Sequence, residues 1–133
     1  MTHGAMLSPA DALITEVFDW GTITWMVSGP LGNSSTMTVG RSDIFPGRQN
    51  TRHYHPNCDE VLHVIQGTIE HACDDDLIRM GPGDTISIPS GVVHNARNVG
   101  EDVAVLVIAY SSAMREAIFL PEVTLPPTSP ANI

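Results

Sequence analysis

The chain has 133 residues, 42% of them hydrophobic and 16% charged, with six basic against fifteen acidic side chains and a formal charge of −9. A chain of this length buries roughly two-thirds of the surface it exposes when unfolded, and its apolar content excludes a disordered polymer. All six basic residues are arginines, at positions 41, 48, 52, 79, 97 and 115. That excludes a lysine Schiff base or a P-loop lysine, and the acidic balance speaks against a nucleic-acid backbone as partner.

The first residues lack the basic and apolar regions of a secretory signal. The longest apolar run, Val103 to Tyr110, has eight residues, far below the roughly twenty that span a bilayer, so no membrane partner is expected. Cys58 and Cys73 are expected to be thiols in a reducing cytosol rather than a bridge. Cys58 as a nucleophile lacks any local mark.

From the amino terminus, Ser8-Pro9-Ala10-Asp11 predicts a helix start, with Ser8 as N-cap and Pro9 at the first helical position. Short runs rich in β-branched and aromatic residues then follow: Thr22–Val27, Thr36–Arg41, Glu60–Ile65, Thr68–Cys73, Thr85–Ile88 and Val103–Tyr110. Turn residues punctuate them, the pattern of an all-β sandwich or barrel. The run Asp74-Asp75-Asp76 lacks the spaced ligands of a calcium loop and predicts a solvated hairpin turn. A second helical turn is predicted around Met114–Phe119, and an extended tail over 121–133 with four of the ten prolines. The expected organisation is one domain over 1–133, with amino-terminal strands in 15–46, a motif core in 47–98 and a carboxy-terminal strand at 103–110.

Against the acidic background stand six histidines, at 3, 53, 55, 63, 71 and 94. His53-Tyr54-His55 places two imidazoles on one face of an extended segment. Glu60 follows the turn-forming Pro56-Asn57-Cys58-Asp59 and can return beside them. His94 offers a third ring. Three imidazoles and a carboxylate suit a divalent first-row metal, and four protein ligands leave two positions of an octahedron open. Alone, an H-x-H pair on a strand is more often a surface or hydrogen-bonded pair than a metal site.

The frame around the pair decides. Five residues separate Gly47 from His53, four separate His55 from Glu60, and six separate Glu60 from Gly67. Further on, five residues separate Gly83 from Pro89-x-Gly91, two more precede His94, and three separate His94 from Asn98. Both strings resemble the two motifs of the cupin superfamily, as a small single-domain, metal-binding cupin. The resemblance implies a small antiparallel jelly-roll β-barrel, a metal held inside by His53, His55, Glu60 and His94, and a homodimer. It further implies one divalent transition metal, Fe2+ foremost, with Mn2+, Ni2+ or Zn2+ also suited. The implied activity is metal-dependent, on a small oxygenated organic molecule. A dioxygenase-type oxidoreductase leads; a Lewis-acid isomerase, cyclase or lyase, or a non-catalytic small-molecule-binding module, are the alternatives. The cupin lyases acting on dimethylsulfoniopropionate carry a tyrosine where this chain has Leu62, which speaks against that activity.

Strand alternation places the neighbours. Leu62 and Val64 share the inner face with Glu60, while Val61, His63 and Ile65 face outward. Ala96 and Asn98 are in phase with His94, and a small Ala96 leaves room for a substrate. By analogy with the cupin pattern, Ile69, His71 and Cys73 point inward. His71 is then either a satisfied core histidine or the general acid/base. Trp25 and Met37, with Trp20 and Met26, are core or interface residues, or a stacking wall of the pocket. Arg52 and Arg97 fall out of phase with the ligands. Arg41 and Tyr110 are within reach of the barrel mouth without an assigned place.

Overall fold

The computed structural model describes residues 3–121. Eleven strands run in chain order among them: β1 (Ile14–Phe18), β2 (Gly21–Val27), β3 (Thr38–Ile44), β4 (His53–Tyr54), β5 (Glu60–Gln66), β6 (Ile69–Cys73), β7 (Asp76–Met80), β8 (Thr85–Ile88), β9 (His94–Asn98), β10 (Ala104–Tyr110) and β11 (Ile118–Phe119). A six-stranded sheet has the order β1-β2-β3-β10-β5-β8, and a five-stranded sheet the order β11-β4-β9-β6-β7. Every pairing is antiparallel. The result is the small jelly-roll barrel the sequence implies.

Local chemistry explains the elements. Strand β10, Ala104–Tyr110, is the most apolar run and occupies the middle of the larger sheet, between β3 and β5. A strand covered on both faces reads as a continuous apolar run. Strand β5 alternates instead: Glu60, Leu62 and Val64 are buried, and Val61 and Ile65 are 41% and 52% exposed. Asp74 and Asp75 turn the β6–β7 hairpin, Asp74 with a φ of 50°, a conformation Asp tolerates better than most residues. All four motif glycines have positive φ. Gly67 is the most constrained, because at φ 87° an added Cβ would meet the Ala104 Cα at 2.9 Å.

The motif asparagine has a structural task. Asn98 is fully buried, its amide donates to the carbonyls of Ile44 and Asp102, and its Oδ1 accepts from the Gly100 N–H. It thereby joins the end of β9 to the end of β3 and to the loop entering β10.

Two predicted helical segments fold otherwise. Near the amino terminus only a 3-10 turn forms, Ala10–Ala12, with Pro9 before it and no side-chain cap. The Ser8 hydroxyl accepts instead from the Asn33 amide, so it is spent on tertiary structure. The stretch Met114–Phe119 is not helical because its backbone groups are taken. The Asn57 amide donates to the Met114 carbonyl, Asn57 Oδ1 accepts from the Glu116 N–H, and the Glu116 carbonyl accepts from His55. A segment whose polar groups are satisfied this way gains nothing from an internal ladder. It runs extended across the barrel end and closes with β11 against β4. Most of the proline-rich tail, 122–133, lies outside the described residues. No helix among the described residues is long and apolar enough to cross a membrane.

Candidate metal centre

The structure brings His53, His55, Glu60 and His94 together, with one donor atom from each lying within 4.8 Å of the others. All four side chains are buried. Three strands and a turn deliver them. His53 on β4 pairs directly with His94 on β9. His55 follows β4, and its carbonyl is pinned by the Gly91 N–H and the Ser90 hydroxyl. Glu60 opens β5 opposite Tyr110 of β10.

The outer ring nitrogens fix how the donors point. His53 Nδ1 lies 2.7 Å from the Thr51 carbonyl, His55 Nδ1 2.8 Å from that of Glu116, and His94 Nδ1 2.9 Å from that of Val92. A carbonyl only accepts, so each Nδ1 carries a proton and each Nε2 is turned toward the centre. Backbone carbonyls orient metal-binding imidazoles in this way. His94 Nε2 lies 2.9 Å and His55 Nε2 3.1 Å from Glu60 Oε1. The His55 contact lacks hydrogen-bond geometry and leaves that nitrogen unsatisfied although buried. An orphaned, inward-facing nitrogen beside a carboxylate is what a cation repairs. The donor set therefore fits a divalent metal ion.

Electrostatics agree with the geometry. Burial alone would push the Glu60 carboxyl up, but its contacts with His55 and His94 outweigh this and hold it at about 2. Burial, then repulsion from His94, lowers His53 to about 4. Burial also disfavours charge on His94, yet the hydrogen bond and charge of Glu60 leave its pKa raised. Its Nδ1 faces the Val92 carbonyl and its Nε2 the Glu60 carboxylate, the two contacts that favour its charged form.

A cavity of about 320 Å³ extends from these ligands between the two sheets. Trp25, Leu62, Ala96 and His71 line it. His71 is fully buried, with its ring 5.6 Å from that of His94. Its Nδ1 lies 3.3 Å from the Cys73 thiol, and its Nε2 has no partner. Two predicted pocket residues are not on the wall. Val64 points inward and is fully buried, but it lies four residues beyond Glu60, roughly 13 Å along the strand. Alternation fixes the face and not the depth. Met37 precedes β3 and is 45% exposed, its N–H held by the Ser34 hydroxyl in a turn.

The remaining candidates find places too. Tyr110 is buried with its ring 4.9 Å from that of His55, and burial, then the Glu60 charge, raises its pKa well above the phenol range. Arg41 faces outward in an ion pair with Asp43, and Arg52 donates to the Asp74 carbonyl. His63 faces outward against Thr85. Both cysteines are free, and burial raises both thiols, so neither is an activated nucleophile. Sequence reasoning missed Phe18, Arg115 and Phe119 on the cavity wall. Their positions depend on the β1–β2 turn and the 111–117 crossing, which carry no motif.

Acid is expected to destabilise the metal-free protein. Burial, then His94, holds His71 at about 4, as burial holds His53, whereas an unfolded imidazole titrates near 6.5. The unfolded chain therefore binds protons first, and stability present above about 6.5 is lost as pH falls toward 4. Glu60 adds a loss between the unfolded carboxyl value of about 4.3 and about 2. His94, with its raised pKa, works the other way but is one group against two. Tm of metal-free protein should fall by more than about 5 °C between pH 7 and 4.5; a flat profile would contradict the buried neutral imidazoles.

The comparisons with known proteins point one way. A family model for the cupin domain matches residues 40–110. Germin-like protein 3-8 of Oryza sativa subsp. japonica is 32% identical over 87 residues, covering 62% of this chain and 39% of that protein. Polyketide synthase CurC of Streptomyces cyaneus is 30% identical over 73 residues, covering 55% of this chain and 47% of its own. The chain thus spans less than half the length of these relatives. Among solved structures, the oxalate decarboxylase formate complex of Lactobacillus farciminis superposes with a TM-score of 0.76 at 20% identity, over 83% of this chain and 34% of that one. The match covers both histidine motifs, and the barrel carries their side chains to one buried point: the chain belongs to the cupin family.

Proposed function

We propose that this cupin is a metal-dependent enzyme acting on a small oxygenated organic molecule, Fe2+-loaded and of dioxygenase type, with His53, His55, Glu60 and His94 as its ligands. One observation carries it: three imidazoles, each anchored through Nδ1 to a backbone carbonyl, converge with a buried carboxylate at the edge of a cavity. Bound there, a ferrous ion supplies Lewis acidity and one-electron chemistry toward dioxygen. A Bacillus subtilis oxalate decarboxylase of the same fold is described with Mn(II) centres, so manganese belongs in the same test. The protein's own part is to hold the donors in one tautomer, to present a largely apolar wall to the substrate, and to keep bulk water out.

His71 favours a second reading, a Lewis-acid isomerase, cyclase or lyase. It lines the cavity and its buried Nε2 has no partner, which makes it the candidate to take or give the proton that such reactions move. We further infer a homodimer, supported by exposed Ile14 and Val17 on edge strand β1 and by Leu77 and Ile78 on edge strand β7. Open apolar edges call for a partner.

Protein loaded with Fe, Mn, Ni or Zn should be tested against catechols, diketones and uronates, following substrate loss and dioxygen uptake together. Matched uptake and loss is the expected result. Loss without uptake, cut about 100-fold by His71→Gln, assigns the Lewis-acid reading. Binding without turnover across the panel would overturn the enzyme and leave a binding module.

A further inference from the structure

We infer that Arg115 is the specificity residue of the cavity, and that the substrate is an organic acid whose carboxylate it clamps while an apolar body lies along the aromatic wall. The inference names a substrate class for the site proposed above and rests on that reading of the cavity. Arg115 is half-buried and lines the cavity together with Glu60, Trp25 and Tyr110. Its guanidinium carbon stands 4.6 Å from the ring centre of Trp25 and 5.2 Å from that of Tyr110. The two rings, tilted 53° to one another, both attract the cation. Contact with a ring face is not a hydrogen bond to an oxygen acceptor, so the guanidinium N–H groups remain available for one.

Those donors are uncommitted among the described residues. The ion pairs there are Arg41–Asp43 and the two imidazole contacts of Glu60, and no side-chain hydrogen bond among the described residues uses Arg115. Glu16, which also lines the cavity, accepts the Trp25 indole N–H at Oε1, 2.7 Å away. Arg115 also borders a second groove, as Glu16 and Trp25 do. Arg41, Arg52 and Arg97 do not line the cavity; Arg41 pairs with Asp43 and Arg52 donates to the Asp74 carbonyl. A planar donor fork without a hydrogen-bond partner among the described residues is suited to recognise a carboxylate bidentately. The rest of the wall, with Phe18, Trp20, Ile23 and Phe119, accepts a ring or a short apolar chain and offers no second cation.

The test is calorimetric titration with benzoate, phenylacetate and 3-phenylpropionate, each beside its neutral amide, into metal-loaded and metal-free protein. Wild type should bind at least one acid ten-fold or more tighter than its amide, in both forms. Arg115→Gln should erase that preference while metal content by mass spectrometry stays unchanged, and Arg115→Lys should restore only part of it. Equal binding of acid and amide by wild type, no acid bound at all, or an undiminished preference in Arg115→Gln would overturn the clamp. A preference shown by metal-free protein that never takes up metal would uphold the clamp and sink the metal reading instead, so the two fail separately.

Discussion

Replacing His94 with alanine is expected to lower metal affinity by about 100-fold or more, since even residues that only support a metal ligand cost 10–100-fold when removed. The effect should be large for three reasons. The His94 ring is the direct cross-strand partner of His53 and touches Glu60 at 2.9 Å. Its loss leaves the buried carboxylate with His55, at 3.1 Å, as its one imidazole contact. Its Nδ1 contact with Val92 also fixes the ring that stacks against His71. Metal content after dialysis against a weak chelator checks this. Wild type should retain the ion and His94→Ala should lose it, with circular dichroism showing the same strand content in both. Retention of metal by the variant would mean that the four donors are not the binding set.

The second large effect is on the fold. Ile69→Ala should cost about 3–4 kcal/mol, the usual range for truncating a fully buried branched side chain. That corresponds to a fall in Tm on the order of 10 °C for a domain this size. Ile69 is fully buried on β6, between β7 and β9, in the cluster that includes Val64 and Met80. It faces Asn98, whereas His94 faces Cys73, four residues away, or roughly 13 Å along the strand. Metal affinity of the folded variant should therefore match wild type. Ile65→Ala, on the 52% exposed outer face of β5, should change stability by less than about 0.5 kcal/mol. Thermal scans of the metal-free forms measure both.

The part of this protein that was legible in the sequence is the part held by short-range rules. The alternation of β5 announced which side Glu60 and Leu62 would take, and the likeness of Gly47 to Asn98 to the cupin motifs implied the four residues that the barrel brings together. The turn at Asp74 and Asp75 needed nothing beyond hairpin chemistry. What stayed hidden depends on depth and on long-range hydrogen bonds. Val64 is in phase yet too far along its strand to reach the cavity. Ser8 has the chemistry of a cap, but Asn33 claims its hydroxyl. Residues 114–119 have helical propensity, but Asn57 and His55, about sixty positions away in sequence, bind the backbone groups a helix would use. That capture lays Arg115 and Phe119 along the cavity, which no local pattern encodes.

The most direct test of the metal centre is X-ray absorption at the metal edge of protein reconstituted with one equivalent of Fe2+, repeated with Mn2+. Three imidazole nitrogens and one carboxylate oxygen from the protein, with the remaining positions filled by exchangeable solvent, are expected for wild type. A shell containing sulfur, or fewer than three imidazoles, would contradict the assignment of His53, His55, Glu60 and His94.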